Sequence, residues 1–146
     1  MPDATNSRQL VVFTLGAEHY ALPIQQVHEI IRYSEPRSVA SRAHWVRGVI
    51  SLRGRILPVY DLAARLGVPS ELTEHSKIVI VEAGSETAGV IVDGVEEVLT
   101  VEDEQMQDAP GADTTLIDSI ARIDTRLIVL LKTSAIFSDP DVALAA

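Results

Sequence analysis

Histidines, paired carboxylates, glycine-flanked loops and an arginine at a turn are the residues through which this chain could do chemistry. There are four histidines, His19, His28, His44 and His75, and no cysteine. No histidine has another three or four residues away, the spacing that sets two imidazoles on one helical face around a metal. Solvent-facing roles suit them better. Without cysteine there is no thiolate metal site, no cysteine nucleophile and no disulfide framework. No serine sits in a G-x-S-x-G elbow, and no Lys-Ser or Lys-Thr follows Gly48 and Gly54 to complete a phosphate loop. Glu96-Glu97 and Glu102-Asp103-Glu104 carry carboxylates, but neighbours in a strand point to opposite faces and acidic runs are ordinarily solvated. The expectation is a chain with no catalytic residue, no metal and no cofactor.

Arg53 is more informative. It stands beside Gly54 and Arg55, where two β-rich runs meet, so it occupies a hairpin tip, while Glu29 lies in a separately patterned segment. An arginine there can simply point into water. Its planar fork also suits it to pair with an acidic group at the edge of a protein-binding surface.

The elements that must hold these residues are short. Gln9 to Leu15 and Glu18 to Leu22 read as strands around Gly16-Ala17, a hairpin. After Pro23, the spacing of Ile24, Val27, Ile30 and Ile31 fits a short helix or a helix-to-strand transition, closed before Pro36. Val46 to Leu52 and Arg55 to Tyr60 flank Arg53-Gly54, a two-residue turn whose glycine supplies a positive φ. Asp61 can cap a short helix through Leu66, stopped by Gly67 and Pro69. Lys77 to Glu82 is a strand buried on both faces, returning as Thr87 to Val92. Asp93-Gly94 then reads as another hairpin turn before Val95 to Val101. Glu102 to Asp113 reads as a solvated loop, Thr115 to Ile123 and Arg126 to Leu131 as a last strand pair, and Lys132 to Phe137 as a helical turn.

Many short strands without long amphipathic helices exclude a Rossmann-like sheet and favour small barrels or a sandwich. The net charge of -9, with no cluster of three basic residues, argues against nucleic acid and against direct membrane binding. The polar N-terminus has no signal-peptide core and no apolar run could span a bilayer, so a cytoplasmic location is expected.

The run Val46-Arg47-Gly48-Val49-Ile50-Ser51-Leu52-Arg53-Gly54-Arg55-Ile56-Leu57-Pro58-Val59-Tyr60-Asp61-Leu62 resembles the signature stretch of the CheW family. Val11 to Gly16, Tyr20 to Ile24, Val27 to Ile30 and Gly89 to Val95 resemble further family motifs in the right order, over roughly Gln9 to Phe137. The resemblance implies a mainly β fold of two intertwined five-stranded SH3-like barrel lobes with a few short helices. The N-terminal hairpin would pack on the second lobe, residues 9–137 would form the domain, 1–8 a disordered tail and 138–146 a loose one. It implies a non-enzymatic adaptor with two partners: the regulatory domain of the histidine kinase CheA, and the cytoplasmic tip of methyl-accepting chemotaxis receptors, at whose membrane-associated arrays it would be recruited. Receptor contact falls on Val27, Glu29, Gly48, Arg53, Gly89 and Val98, in a groove where absent side chains would admit a helix. Kinase contact falls on Ile56, Pro58 and Tyr60, as exposed strand residues of the first lobe. One departure is Ser51, where the family usually has Asn. The alternatives are an adaptor of a twitching-motility or gene-regulatory pathway, a piece of a CheV-like or CheA-like protein, and, more distantly, a small-molecule enzyme with a deep polar pocket.

Overall fold

Alternating and continuous aliphatic runs build eleven strands among the described residues. In the computed structural model, which describes residues 7–41, 43–111 and 115–137, β1 (Ser7–Leu15) and β2 (Glu18–Pro23) form the first hairpin. A 3-10 turn, Ile24–Gln26, leads into β3 (Val27–Arg32). The second hairpin is β4 (Val46–Leu52) with β5 (Arg55–Asp61), followed by α1 (Leu62–Leu66). Next come β6 (Lys77–Ala83), β7 (Glu86–Val92) and β8 (Gly94–Glu102). A second 3-10 turn, Asp103–Gln105, precedes the short β9 (Met106–Gln107), and β10 (Ile117–Ile123), β11 (Arg126–Leu131) and α2 (Thr133–Ile136) complete the described order.

Two sheets result. One runs β3-β6-β7-β5-β4, the other β8-β1-β2-β11-β10-β9. Both follow one plan. A hairpin (β6–β7, or β1–β2) lies parallel against the second strand of another hairpin, with Val59 opposite Gly89 in the first lobe and Leu130 opposite Ala21 in the second. Each sheet also curls to meet its own start. Arg37, beyond β3, bridges Val49 of β4, and β8 continues through its 3-10 turn into β9, which pairs with β10. The fold is mainly β, as expected: two small lobes, one of five strands and one of five plus the two-residue β9.

The chain crosses between lobes at Ile24–Gln26 and again at Asp93, so the first lobe is one continuous stretch, Val27 to Val92, inserted between the two parts of the second. Packing follows this threading. Leu10, Val12, Ala21, Val101, Ala121, Ile128 and Leu130 fill the second lobe, and Ile50, Leu57, Val59, Ile78, Ile80 and Ile91 fill the first. A third cluster lies between them, joining Phe13, Leu15, Tyr20 and Leu22 to Val79, Val81, Val90 and Val92, with Leu62 and Ile136 from the two helices.

One reading from sequence is resolved between its alternatives and one is corrected. Of the two alternatives for the segment after Pro23, the helix-to-strand transition is the one observed: Ile24–Gln26 is helical, and residues 27–32 are a strand that alternates half-buried Val27, Glu29 and Ile31 with exposed His28, Ile30 and Arg32. Asp93-Gly94 makes no hairpin: β7 pairs with β5 and β6, whereas β8 pairs with β1 in the other sheet. In addition, β1 begins at Ser7, whose partner is Glu102, two residues ahead of the strand start read from sequence. Of the tail expected over 1–8, residues 7 and 8 belong to β1 and 1–6 lie outside the described residues, as does the tail expected over 138–146. Part of the acidic stretch is ordered by a capping box in which the Glu102 N–H donates to Gln105 Oε1 at 2.8 Å.

Candidate functional site

The β4–β5 tip holds Arg53 at φ 53° and Gly54 at φ 80°. Positive φ at both central residues is the requirement of the tightest two-residue hairpin turn, so Arg53, not only the glycine, takes the left-handed conformation. That geometry aims its side chain across the lobe at β3. Arg53 donates from Nε to Glu29 Oε2 at 3.1 Å and from Nη2 to Oε1 at 2.8 Å, a paired fork-to-carboxylate contact. The arginine is 71% exposed and the glutamate 21%, so the pair forms a rim with its cation turned outward. The hydrogen bond from Arg53 lowers the Glu29 pKa, and the arginine's own is raised by the same bond. The sign for pH follows: a depressed carboxyl keeps the pair at neutral pH and loses it only as pH falls through that lowered value. Beneath the pair lie Leu52, Leu57 and Ile80 at the mouth of the first lobe.

The other residues expected at a receptor groove separate into two groups. Val27 and Val98 lie on strands of different lobes. Val27 opens β3, sits opposite Val81 and packs on the inter-lobe cluster, while Val98 on β8 faces Val11 and is 53% exposed. Gly48 and Gly89 are buried, and the close approach each permits is taken up by this chain's own atoms. A Cβ on Gly48, at φ 145° in the β4 bulge, would meet the Arg37 carbonyl oxygen at 2.0 Å, and one on Gly89 would meet Ile78 Cγ2 at 2.6 Å. The idea that these missing side chains admit a partner helix is therefore corrected: they admit the Arg37 backbone and the lobe's core.

The three residues expected to meet the kinase lie on one strand and one face but differ in exposure. Ile56 is 73% exposed, and Pro58 is half-buried. Tyr60 turns into the inter-lobe cluster, edge-on to Phe137 with ring centroids 6.5 Å apart, so it is not the exposed strand residue the sequence suggested. Ser51 lies opposite Ile56, outside the turn. The hairpin is intact with Ser51, and its hydroxyl belongs to the Ile56 surface. Ile56, Ser51, Val49, Ile50, Ser34, Glu35 and Arg37 line a depression of about 400 Å³, a feature that needed the unpredicted return of residues 34–37 to β4.

The remaining candidates are tied up locally. Glu97 takes an ion pair from Arg126 at 3.0 Å, and Asp103 faces Arg8 at 3.6 Å. His19 faces Glu96, His28 lies between Glu29 and Glu82, and His44 Nε2 is 3.3 Å from the Ala64 carbonyl oxygen. Among the described residues no three metal-ligating side chains converge, and no helix is long and apolar enough to cross a membrane.

Two interlocked barrel lobes that present their distinctive side chains on open strand faces and a hairpin tip make a scaffold-type β domain. The chain belongs to the CheW family, whose CheW-like domain matches residues 9–141. It is similar to the probable chemotaxis protein CheW of Rhizobium etli, 34% identical over 92% of this chain and 90% of that one. It is also similar to the chemotaxis protein CheW of Klebsiella aerogenes, 31% identical over 96% of this chain and 87% of that one. Among solved structures, the scaffolding protein TtCheW from Thermoanaerobacter tengcongensis superimposes with a TM-score of 0.85, at 33% identity over 91% of this chain and 89% of that one. The chain is a chemotaxis coupling adaptor.

Proposed function

We propose that this adaptor joins the regulatory domain of the kinase CheA to the cytoplasmic tips of methyl-accepting chemoreceptors, in the cytoplasm at receptor arrays, without catalysing a reaction itself. The observation that carries this reading is the exposure of aliphatic side chains at two places, one in each lobe. Val98 on β8 of the second lobe is 53% exposed, and Ile56 on β5 of the first is 73% exposed. An isolated exposed aliphatic is ordinary, but Ile56 lines a shallow depression, and we read Val98 together with the Glu29–Arg53 pair as the elements of a second recognition surface. The receptor reading takes Val27 and Val98 as apolar contacts for a helix and Glu29 with Arg53 as the rim, while Gly48 and Gly89 act behind them by shaping the lobe. The kinase reading takes Ile56 as anchor and Pro58 as its neighbour, with Tyr60 supporting the strand from inside. Relatives matched over nearly the whole chain are chemotaxis proteins, which favours chemotaxis over other chemosensory pathways.

The test is orthogonal. Binding of a receptor cytoplasmic fragment and of the CheA regulatory domain is measured separately for Val98→Lys and Ile56→Lys. Val98→Lys is expected to weaken only the receptor and Ile56→Lys only the kinase, each by about tenfold or more. Equal losses for both partners, or none, would remove the two-surface reading. Steady ATP hydrolysis by the purified chain would overturn the non-catalytic part.

A further inference from the structure

The second chain crossing is held by more bonds than a one-residue link requires. Asp93 is the single residue between Val92, the end of β7 in the first lobe, and Gly94, the start of β8 in the second. Its N–H donates to the Thr14 carbonyl oxygen at 2.9 Å. Its carboxylate accepts the Gly16 N–H on Oδ2 at 2.6 Å, and the Ser70 hydroxyl on Oδ1. These partners come from different segments: Thr14 and Gly16 from the β1–β2 end of the second lobe, Ser70 from the loop after α1 of the first. The same junction is sterically closed. Gly16 sits at φ 61°, and a Cβ there would come within 2.7 Å of the Pro69 carbonyl oxygen, so the turn and the loop touch backbone to backbone.

We propose that Asp93 is a positioning residue, a latch that fixes the angle between the lobes and so the separation of the Val27 and Val98 edges. The argument is mechanical. Only two links join the lobes covalently, and each of the proposed groove's apolar contacts follows one of them. Val27 comes directly after Ile24–Gln26, and Val98 lies five residues after Asp93. β8 grows from the latch, and Val98 stands four residues beyond Gly94, about 13 Å along the strand, so a small rotation at Asp93 is carried outward to the groove. A carboxylate accepting two hydrogen bonds holds such a pivot more firmly than a neutral side chain would. The effect on receptor binding rests on the groove reading above; the effect on lobe geometry does not.

The absence of native cysteine permits direct measurement. Spin labels are placed on Ser85→Cys, at the β6–β7 turn, and on Thr100→Cys of β8, both exposed and one in each lobe. Interspin distances are then compared in the otherwise native chain, with Asp93→Ala and with Ser70→Ala. The distribution is expected to shift and broaden with Asp93→Ala, and to a smaller degree with Ser70→Ala, whose exposed hydroxyl can be removed without risk to the fold. Receptor-fragment affinity should fall about fivefold to tenfold with Asp93→Ala, the loss of a charge-assisted bond, while affinity for the kinase domain stays unchanged. Distributions that superimpose for both variants overturn the latch. A distribution that shifts while the unsubstituted chain ignores the receptor fragment supports the latch and overturns the groove reading alone.

Discussion

At Arg53 conformation and contact pull in opposite directions. The residue carries a Cβ in the left-handed region, where the side chain crowds its own carbonyl, yet its tip is held by Glu29. The pair is exposed on the arginine side, and pairs of that kind contribute little to stability. Arg53→Gly should therefore raise the melting temperature by roughly 2–5 °C, through relief of the turn, while weakening receptor-fragment binding. Thermal denaturation and co-sedimentation check the two halves. A variant that melts lower would show that the Glu29 contact outweighs the backbone strain, and one that binds receptor normally would remove Arg53 from the surface. Sequence showed that this residue stood at a turn and had the chemistry of a paired cation. It also singled out Glu29, which the family resemblance set with Arg53 on one charged rim, but not the paired hydrogen bonds between them, because the two come together only when β3 and the β4–β5 tip close one end of a lobe.

The strands and their bulges explain why the glycines resist substitution. Gly48 lies where β4 slips register against β5 between Val46 and Gly48, and its missing Cβ is filled by the Arg37 backbone that closes the first lobe. Gly89 faces the side chains of Ile78, Ile80 and Val59, which can repack. Gly89→Ala should cost about 1–3 kcal/mol, the range for overfilling a core. Gly48→Ala should cost more, since backbone cannot give way and φ 145° is strained for any residue with a Cβ. Urea denaturation measures the order, and Gly89→Ala as the more damaging change would contradict it. The hairpins, the Asp61 cap on Ala64 N–H at 3.1 Å and the buried β6 run were all legible in sequence, because each is decided within a few residues. Residues 24–32 stayed open between a short helix and a helix-to-strand transition, because Ile24, Val27, Ile30 and Ile31 satisfy helical spacing while the observed pattern from Val27 alternates in strand fashion, with Ile30 outward. Asp93-Gly94 was misjudged for the same kind of reason: its residues suit a hairpin, and only the distant pairing of β8 with β1 shows that the chain is changing lobes.

That threading decides how the whole molecule comes apart. The second lobe needs β1 and β2 from the beginning of the chain and β8 to β11 from its later part, with the first lobe completed between them. The cluster between the lobes draws Phe13, Leu15, Tyr20 and Leu22 from one and Val79, Val81, Val90 and Val92 from the other. Loosening either lobe therefore strips apolar cover from its neighbour and opens the same interface, so partial unfolding gains little entropy for a large exposure. Unfolding should be a single transition, with the far-ultraviolet signal of both lobes coinciding with the fluorescence of Trp45, the only tryptophan and a reporter beside β4 of the first lobe. Phe13→Ala sharpens the test, because Phe13 is fully buried yet belongs to β1 of the second lobe. Its loss should cost about 3–5 kcal/mol and move the Trp45 transition by the same amount as the global one. If the Trp45 signal stayed at its original midpoint while the rest of the molecule unfolded earlier, the lobes would be energetically separate. A body that loosens one lobe at a time could not hold the Ile56 and Val98 surfaces in fixed relation.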